Sequence, residues 1–387
     1  MFSTSSSSSG SSSSSDSSDL SGLSDSASPY SLAAYGWDDG WAETFAPYAA
    51  QGLVPGRVIR VDRGQCDLVT PGGPARADTE LVTPRDPMRI VCTGDWAAVD
   101  AEGDPRYVRT LLPRRTALVR STSSKRSDGQ VLAANVDHAV IAVSLAAELD
   151  LGRVERFTAL AWESGAQPLL VLTKADLVPD PDTLAHLVSD TEMAAPGVRV
   201  LPVSSAAGDG LEELGALLAS GTSVLLGQSG AGKSTLANAL VGEAVQDVRA
   251  IRDSDGKGRH TTTTRDLLPL PSGGVLIDTP GLRGVGLWDA EGGVAQAFAE
   301  IEELAERCRF PDCAHQAEPG CAVLAAIDDG SLPERRLESY RKLLRENERL
   351  AARTDARLRA ELRRDWKQRQ ALGRHMMERK RGPMRGR

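Results

Sequence analysis

The sequence predicts a multidomain chain with three folded parts: a small all-β domain, a central α/β domain on a parallel sheet, and a short C-terminal domain with helices around a cysteine–histidine cluster. Three observations lead to this division. From Gly52 onward, short apolar runs are separated by Gly, Pro and Asp turns. After residue 130 the rhythm changes to alternating strand and helix runs. Near the C-terminus, three of the five cysteines share fourteen residues with a histidine. The boundaries fall at 1–50 for a Ser-rich head and linker, 51–120 for the β domain, 121–298 for the α/β domain, 299–350 for the cysteine–histidine domain and 351–387 for a basic helical tail.

Residues 1–28 are mostly Ser with Gly and Asp. Such a segment has too little apolar surface to offset its ordering entropy and is expected to be disordered. Residues 29–50 carry Tyr30, Tyr35, Trp37, Trp41 and Phe45 and are expected to dock loosely on the β domain. GRVIRVDRGQCDLVT, ARADTELV, MRIVCTGDWAAVD and PRYVRTLLPRRTALV then read as short strands, about five in some seventy residues. That count fits a small barrel of the oligonucleotide-binding kind or another small all-β domain. STSSKRSDGQ (121–130) reads as a polar linker. Next come HAVIAVSLA (strand), RVERFTALAWES (helix), QPLLVLTK (strand), PDTLAHLVSD (helix), VRVLPVSS (strand), LEELGALLAS (helix) and TSVLLGQSG (strand). This alternation means a parallel sheet with helices on both faces, whose ligands bind at the carboxyl ends of the strands.

Hydrophobic residues make up 41% of the chain but aromatics only 4%, so the cores must rest on aliphatic side chains. Five cysteines in 387 residues do not make a disulfide scaffold. No apolar run approaches the ~18 residues of a membrane helix, and the N-terminus lacks a basic start followed by an apolar stretch. A cytoplasmic monomer without a membrane partner is expected. The net charge of −8 conceals an asymmetry: residues 351–387 hold 13 Lys or Arg against 4 Asp or Glu, a balance of +9, so the other 350 residues carry −17. An acidic body with a basic tail is compatible with RNA binding through the tail.

GQSGAGKS (227–234) fits the phosphate-loop pattern in full, after an apolar strand and before the helix TLANALVG. Its glycines let backbone N–H groups turn inward around phosphates, and the helix presents its positive end to them. Lys233 should reach the β- and γ-phosphates, and the Ser234 hydroxyl should bind Mg²⁺. TKAD (173–176) ends the strand PLLVLT and resembles the guanine-recognition motif of GTPases. The Asp176 carboxylate can accept from the guanine ring N–H and exocyclic amine, a pair that adenine does not offer. SSA (204–206) ends the next strand and resembles the companion guanine loop. DTPG (278–281) follows GGVLI and resembles the motif whose Asp holds Mg²⁺ through water and whose Gly N–H meets the γ-phosphate. Between it and the phosphate loop lies GRHTTTTRD (258–266), in which Thr262 or Thr263 would complete the Mg²⁺ shell.

Ordinary GTPases present the phosphate loop first and the guanine motifs last; here the guanine motifs come first. The permuted order, GQSGAGKS, GRHTTTT, DTPGLR and the C-x4-C-x-H-x5-C cluster together resemble the RsgA family, also called YjeQ or EngC, of bacterial GTPases dependent on the small ribosomal subunit. The resemblance covers about residues 52–350. It implies an N-terminal oligonucleotide-binding barrel, a circularly permuted P-loop GTPase domain and a C-terminal zinc-binding domain. The implied nucleotide contacts are Thr173, Lys174 and Asp176; Ser204, Ser205 and Ala206; Gly227, Gln228, Ser229, Gly230, Ala231, Gly232, Lys233, Ser234 and Thr235; and Asp278 and Gly281. Ser234, Thr262, Thr263 and Asp278 form the Mg²⁺ side.

Many GTPases place a Gln after DxxG to orient the attacking water. Leu282 stands there, and the resemblance implies that His260 substitutes. An imidazole can orient water, and its ordinary pKa of ~6.5 leaves it mostly neutral near pH 7. The alternative, a K⁺ ion held by an Asn in the phosphate loop, is not available where Gly230 stands. Cys308, Cys313, His315 and Cys321 supply three thiolates and an imidazole, a closed tetrahedral set for one structural Zn²⁺ per chain. Cys66 and Cys92 read as core residues in apolar strands. From Glu334 the chain reads as helix. A solvated face accounts for 334–365, while 366–387 fit phosphate contacts.

The expected function is GTP hydrolysis in late assembly of the small (30S) subunit, with GTP or GDP, the subunit and its rRNA as partners. The resemblance implies stimulation by the subunit and release on hydrolysis. Two alternatives stay open: a permuted GTPase acting on the large subunit, and an RNA-binding module using GTP only as a conformational ligand. An ATP-using enzyme conflicts with Asp176.

Overall fold

Five strands, β1 (Leu53–Asp62), β2 (Gln65–Thr70), β3 (Gly73–Asp78), β4 (Trp96–Asp100) and β5 (Arg106–Leu111), close a barrel in the order β1-β2-β3-β5-β4. The computed structural model describes residues 31–83, 86–121, 129–242, 265–279 and 290–354. Val58, Cys66, Leu68, Ala77, Ala97, Val99 and Val108 fill the barrel interior. Strands with one wet face alternate in burial, but β4 is buried at four successive residues, Trp96 to Val99. The reason is a second layer outside it: Ile59, Val69, Trp96 and Ala98 point away from the barrel into a larger core.

Part of that layer is a segment that the sequence assigns to head and linker. Residues 39–49 form a helix, α1 (Asp39–Ala49), capped by Asp38, whose carboxylate accepts from Trp41 N at 2.8 Å. Trp41 and Phe45 are buried, and the Trp37 ring meets Trp96 edge-on at 4.8 Å. The docking is therefore firm rather than loose. Arg115 clamps it from outside, pairing with Asp38 and lying 4.0 Å over the Trp41 ring.

A second correction concerns residues 113–134. TALV does not extend the barrel. β6 (Ala117–Ser121) pairs antiparallel with β7 (Gly129–Ala134) in a two-stranded sheet of its own. Pro113 breaks the run, and Arg114 is drawn aside to pair with the buried Asp95 at 2.7 Å.

The central sheet has six strands: β8 (His138–Ser144), β9 (Gln167–Thr173), β10 (Arg199–Val203), β11 (Thr222–Leu226), β12 (Asp266–Pro269) and β13 (Val275–Asp278). Their order is β10-β9-β8-β11-β13-β12, all parallel except β12, which runs antiparallel to β13 at the edge. The strands alternate between two cores, as a sheet covered on both faces requires. Ile141, Leu170, Leu172, Val224 and Ile277 face the side of α2 (Leu151–Glu163). Val140, Leu169, Val171, Leu225 and Leu276 face α4 (Leu211–Leu217) and α5 (Lys233–Val241). α3 (Pro181–Ala194) lies between β9 and β10 in the chain.

Beyond the sheet come α6 (Glu291–Ala297), α7 (Ala299–Ala305), α8 (Ala322–Asp328) and α9 (Glu334–Thr354). A solvated face does not describe α9. Arg336, Leu337, Tyr340, Leu343, Asn347 and Leu350 form a buried stripe at helical spacing. Arg336 is the main fastening: its guanidinium bonds Glu155 of α2 at 2.9 Å, the Ala194 carbonyl at 2.8 Å and the Ala297 carbonyl at 2.9 Å. Glu155 is fully buried, so each charge of this pair is desolvated only because the other is there. Arg156 and Glu346 add a bidentate pair at 2.7 and 2.6 Å. Among the described residues, no helix is long and apolar enough to cross a membrane. The Ser-rich stretch 1–28 and the tail beyond residue 354 lie outside the described residues.

Candidate functional site

The motif residues that the structure describes gather at the carboxyl edge of the central sheet. β11 delivers Gly227, where φ is +134° and a Cβ would stand 2.4 Å from the Ala142 carbonyl, so only glycine lets the loop pass so close to β8. Gly232, at φ +83°, turns the chain into α5. Lys233 is buried. Its ammonium donates to the carbonyls of Gly227 at 2.8 Å and Gln228 at 2.7 Å, folding back over the loop. Burial lowers its pKa, and Asp278 opposes that shift. Gln228, Ser229, Gly230, Ser234 and Thr235 are exposed, and Ala231 is buried.

The guanine-side residues arrive on β9 and β10. Thr173 is buried at the end of β9. Its hydroxyl lies 2.7 Å from the Ala231 carbonyl and 3.3 Å from that of Val143, so it braces the phosphate loop against the sheet. Lys174 adopts the left-handed conformation (φ 61°) and donates to the Gly230 carbonyl at 3.1 Å. Asp176 is exposed, and its Oδ1 accepts from the buried Ser204 hydroxyl at 2.6 Å. Ser204 Oγ in turn accepts from Ala207 N at 3.0 Å within its own turn, so the bond to Asp176 ties that turn to the TKAD loop. Ser205 and Ala206 follow at the surface side of that turn.

A cavity of about 240 Å³ lies beside the phosphate loop, lined by Val143, Ser144, Arg153, Phe157, Lys174 and Gln228 among others. Asp176, Ser204, Lys233, Ser234 and Asp278 are not in its wall. Arg153, from the first turn of α2, bonds the Gln228 side chain. That contact spans 75 residues, and no spacing in the sequence points to it.

Asp278 ends β13 opposite Asp266 of β12. Thr279 is buried and its hydroxyl donates to the Leu225 carbonyl, tying this strand end to the one that leads into the phosphate loop. His260, Thr262, Thr263, Gly281 and Leu282 lie outside the described residues.

In the C-terminal region, Cys308, Cys313, His315 and Cys321 bring their ligand atoms within 4.8 Å of one another. Cys308 Sγ is 3.8 Å from Cys321 Sγ and 3.7 Å from His315 Nδ1, and His315 Nδ1 is 3.4 Å from Cys321 Sγ. Zinc–sulfur bonds of about 2.3 Å in a tetrahedron give edges of about 3.8 Å, so the donor set fits one Zn²⁺. Backbone N–H groups of Ala322 and Leu324 point at the sulfurs of Cys308 and Cys321, both at 3.4 Å. Such donors favour thiolates. Next to the cluster the Glu318 carboxylate accepts from the N–H of Ala317 (3.0 Å), Gln316 (2.7 Å) and Ala314 (3.2 Å), which hold its pKa down to about 2. Cys66 and Cys92 are buried elsewhere, and burial pushes both thiols up to about 12. Cys66 is in β2 as expected; Cys92 is in the turn before β4, not in a strand.

A phosphate loop on β11, with the strands bearing the guanine motifs before it in the chain and in the same parallel sheet beyond β8, defines a P-loop GTPase in circularly permuted order. The family model for the RsgA GTPase matches residues 111–288. The small ribosomal subunit biogenesis GTPase RsgA of Streptomyces coelicolor is 73% identical over 94% of this chain and 99% of its own length. Its counterpart in Opitutus terrae is 42% identical over 87% and 95%. Among solved structures, YjeQ from Thermotoga maritima matches at TM-score 0.57 and 26% identity, covering 76% of this chain and 98% of that one. YloQ, described as a circularly permuted GTPase, matches at 0.55 and 25%, covering 76% and 95%. The chain belongs to the RsgA GTPase family.

Proposed function

We propose that this chain hydrolyses GTP and acts in the late biogenesis of the small ribosomal subunit, with the subunit stimulating hydrolysis and hydrolysis releasing the factor. The observation that carries the chemistry is the joint placement of Asp176, Ser204, the phosphate loop and Asp278 at one sheet edge. The names of the relatives carry the partner. Asp176 would read the guanine edge, held in line by Ser204. Lys233 would exchange its two loop carbonyls for the β- and γ-phosphates. Ser234, Asp278 and Thr262 or Thr263 would hold Mg²⁺, which neutralises developing phosphate charge. Gly281 N–H would meet the γ-phosphate, and His260 would orient the attacking water. Cys308, Cys313, His315 and Cys321 would hold a structural zinc. The barrel, the zinc-bearing region and the tail beyond residue 354 would supply rRNA contacts. Division at 51–120, 121–298 and 299–350, a cytoplasmic location and a monomeric state belong to the same proposal.

GTP turnover by the purified protein, alone and with purified small or large subunits, tests the proposal. Stimulation by small subunits alone supports it; stimulation by large subunits, or by neither, overturns the ribosomal assignment. Tight GTP binding with negligible turnover on any subunit would mean a conformational ligand. His260→Ala is expected to lower kcat by about a hundredfold, within the usual range for a positioned acid–base group. GTP affinity should change little, because the residue is proposed to act on water and not on the nucleotide. Single-turnover hydrolysis and a fluorescent-nucleotide titration check both halves; wild-type turnover would remove His260 from the mechanism.

A further inference from the structure

The barrel meets the central domain along β1, where Arg57 donates to Thr222 Oγ1 at 2.8 Å, and at one tight turn, residues 92–95, between the 3-10 turn Pro87–Arg89 and β4. Its backbone is over-determined. Cys92 N donates to Asp95 Oδ2 at 2.7 Å, and Arg114 grips the buried Asp95 with two bonds of 2.7 and 2.8 Å. Gly94 N donates to Val58 O at 2.9 Å, Ala134 N donates to Thr93 O at 3.1 Å, and Asn135 Nδ2 donates to Gly94 O at 3.0 Å. Gly94 has φ +93°. A Cβ there would stand 2.2 Å from the Ala134 carbonyl and 3.2 Å from Ile277 Cδ1. The turn is thus wedged against β13, one residue before Asp278.

It also grips the neighbouring strand. Thr93 is buried, and its hydroxyl donates to the Arg265 carbonyl at 3.0 Å. Arg265 is the residue through which the segment containing His260, Thr262 and Thr263 enters β12. A longer ion contact, Arg60 of β1 to Asp266 at 3.9 Å, lies one residue on. Asp266 and Asp278 are opposite each other across β12 and β13. One rigid turn of the barrel therefore touches both strands that frame the magnesium side of the nucleotide site, 172 residues away in sequence from the Arg265 it holds.

We infer that Thr93 is a positioning residue for GTP hydrolysis: through the Arg265 carbonyl it fixes where the threonine-bearing loop enters the sheet, and so the barrel is a working part of the catalytic domain. The inference rests on the proposed assignment of Thr262 or Thr263 and Asp278 to Mg²⁺. A hydroxyl that only held two domains together would affect every nucleotide alike. A hydroxyl that sets the threonine loop should matter for the triphosphate, whose γ-phosphate and Mg²⁺ that loop serves, and not for the diphosphate.

The experiment compares Thr93→Val, which removes the hydroxyl at nearly constant shape, with Thr93→Ser, which keeps it, in the full chain. Measured are kcat and KM for GTP, the Mg²⁺ concentration for half-maximal turnover, the affinities for GDP and a non-hydrolysable GTP analogue, and the thermal midpoint. For Thr93→Val, kcat should fall about three- to tenfold, the scale set by one lost hydrogen bond. The Mg²⁺ requirement should rise, the analogue should bind more weakly relative to GDP, and GDP affinity should stay as in wild type. Thr93→Ser should restore all of these readouts. Wild-type kcat and analogue-to-GDP ratio in Thr93→Val overturn the inference. So does an equal loss of GDP and analogue affinity with a lowered midpoint, which is the signature of simple domain attachment. Thr93→Ala repeats the comparison if the valine variant does not fold. Should the wild type itself not hydrolyse GTP, the proposed activity falls, and the analogue-to-GDP ratio still decides the role of Thr93.

Discussion

Asp176→Asn is expected to weaken GTP binding by about a hundredfold or more and to create affinity for xanthosine triphosphate. A carboxylate offers about four acceptor positions over its two oxygens. Ser204 Oγ occupies one of them at 2.6 Å and fixes the plane of the group. The remaining positions can take the ring N–H and the exocyclic amine of guanine. Hydrogen bonds to a charged group contribute about 1.5–3 kcal/mol each, and a buried donor left unpaired costs about 1–3 kcal/mol more, so losing one bond and its partner corresponds to about a hundredfold. The amide of Asn turns one acceptor into a donor that faces the guanine amine. Xanthine carries an oxygen there, which the new N–H can meet. Titration with GTP and with xanthosine triphosphate checks both directions. Unchanged GTP affinity would show that guanine is read elsewhere, and the ATP-using reading would return.

The residues behind this prediction are legible in the sequence because each belongs to a short local pattern at a strand end. TKAD, SSA and GQSGAGKS come after apolar runs, and the structure places those runs as β9, β10 and β11 of one sheet, β9 and β10 adjacent and β8 between β9 and β11. The helix of residues 39–49 is also written in the sequence, in aromatics at 37, 41, 45 and 48, three to four residues apart. Its helical period is masked by a Ser-rich flank that suggests a linker. The stripe at 336, 340, 343, 347 and 350 is obscured in the same way by the many arginines around it. Other features have no local signature. Arg336 reaches Glu155 across 181 residues, and Thr93 reaches Arg265 across 172. Such contacts depend on how finished elements dock, which a single sequence does not encode in any spacing. That TALV (116–119) pairs with β7 and not with the barrel is hidden for a related reason. Arg114 leaves the barrel path for Asp95, and only the partner reveals the departure.

Removing the metal is expected to unfold the region between α7 and α9 while α9 stays attached to α2. α7 and α8 have seven residues each, well below the length at which an isolated helix holds in water. Their buried apolar set is small, chiefly Ile301, Val323, Ala326 and Leu332. Such a region depends on its metal, whose binding contributes about 10–16 kcal/mol in comparable small zinc sites. Cys321 is both a proposed ligand and the N-cap of α8, its sulfur accepting from Leu324 N, so Cys321→Ser strikes the metal and the helix start together. Metal analysis should fall from one zinc per chain to substoichiometric. With the metal chelated, a thiol reagent should count three reactive cysteines. Cys66 and Cys92 should stay silent, because they are buried away from the cluster and burial holds them as thiols. α9 should resist, since the Arg336–Glu155 and Arg156–Glu346 pairs fasten it to α2 without help from the cluster. Hydrogen exchange would then show loss of protection in 306–330 and persistence in 334–350. Five reactive thiols would mean that the metal holds the whole chain together. Full zinc content in Cys321→Ser would remove that residue from the ligand set.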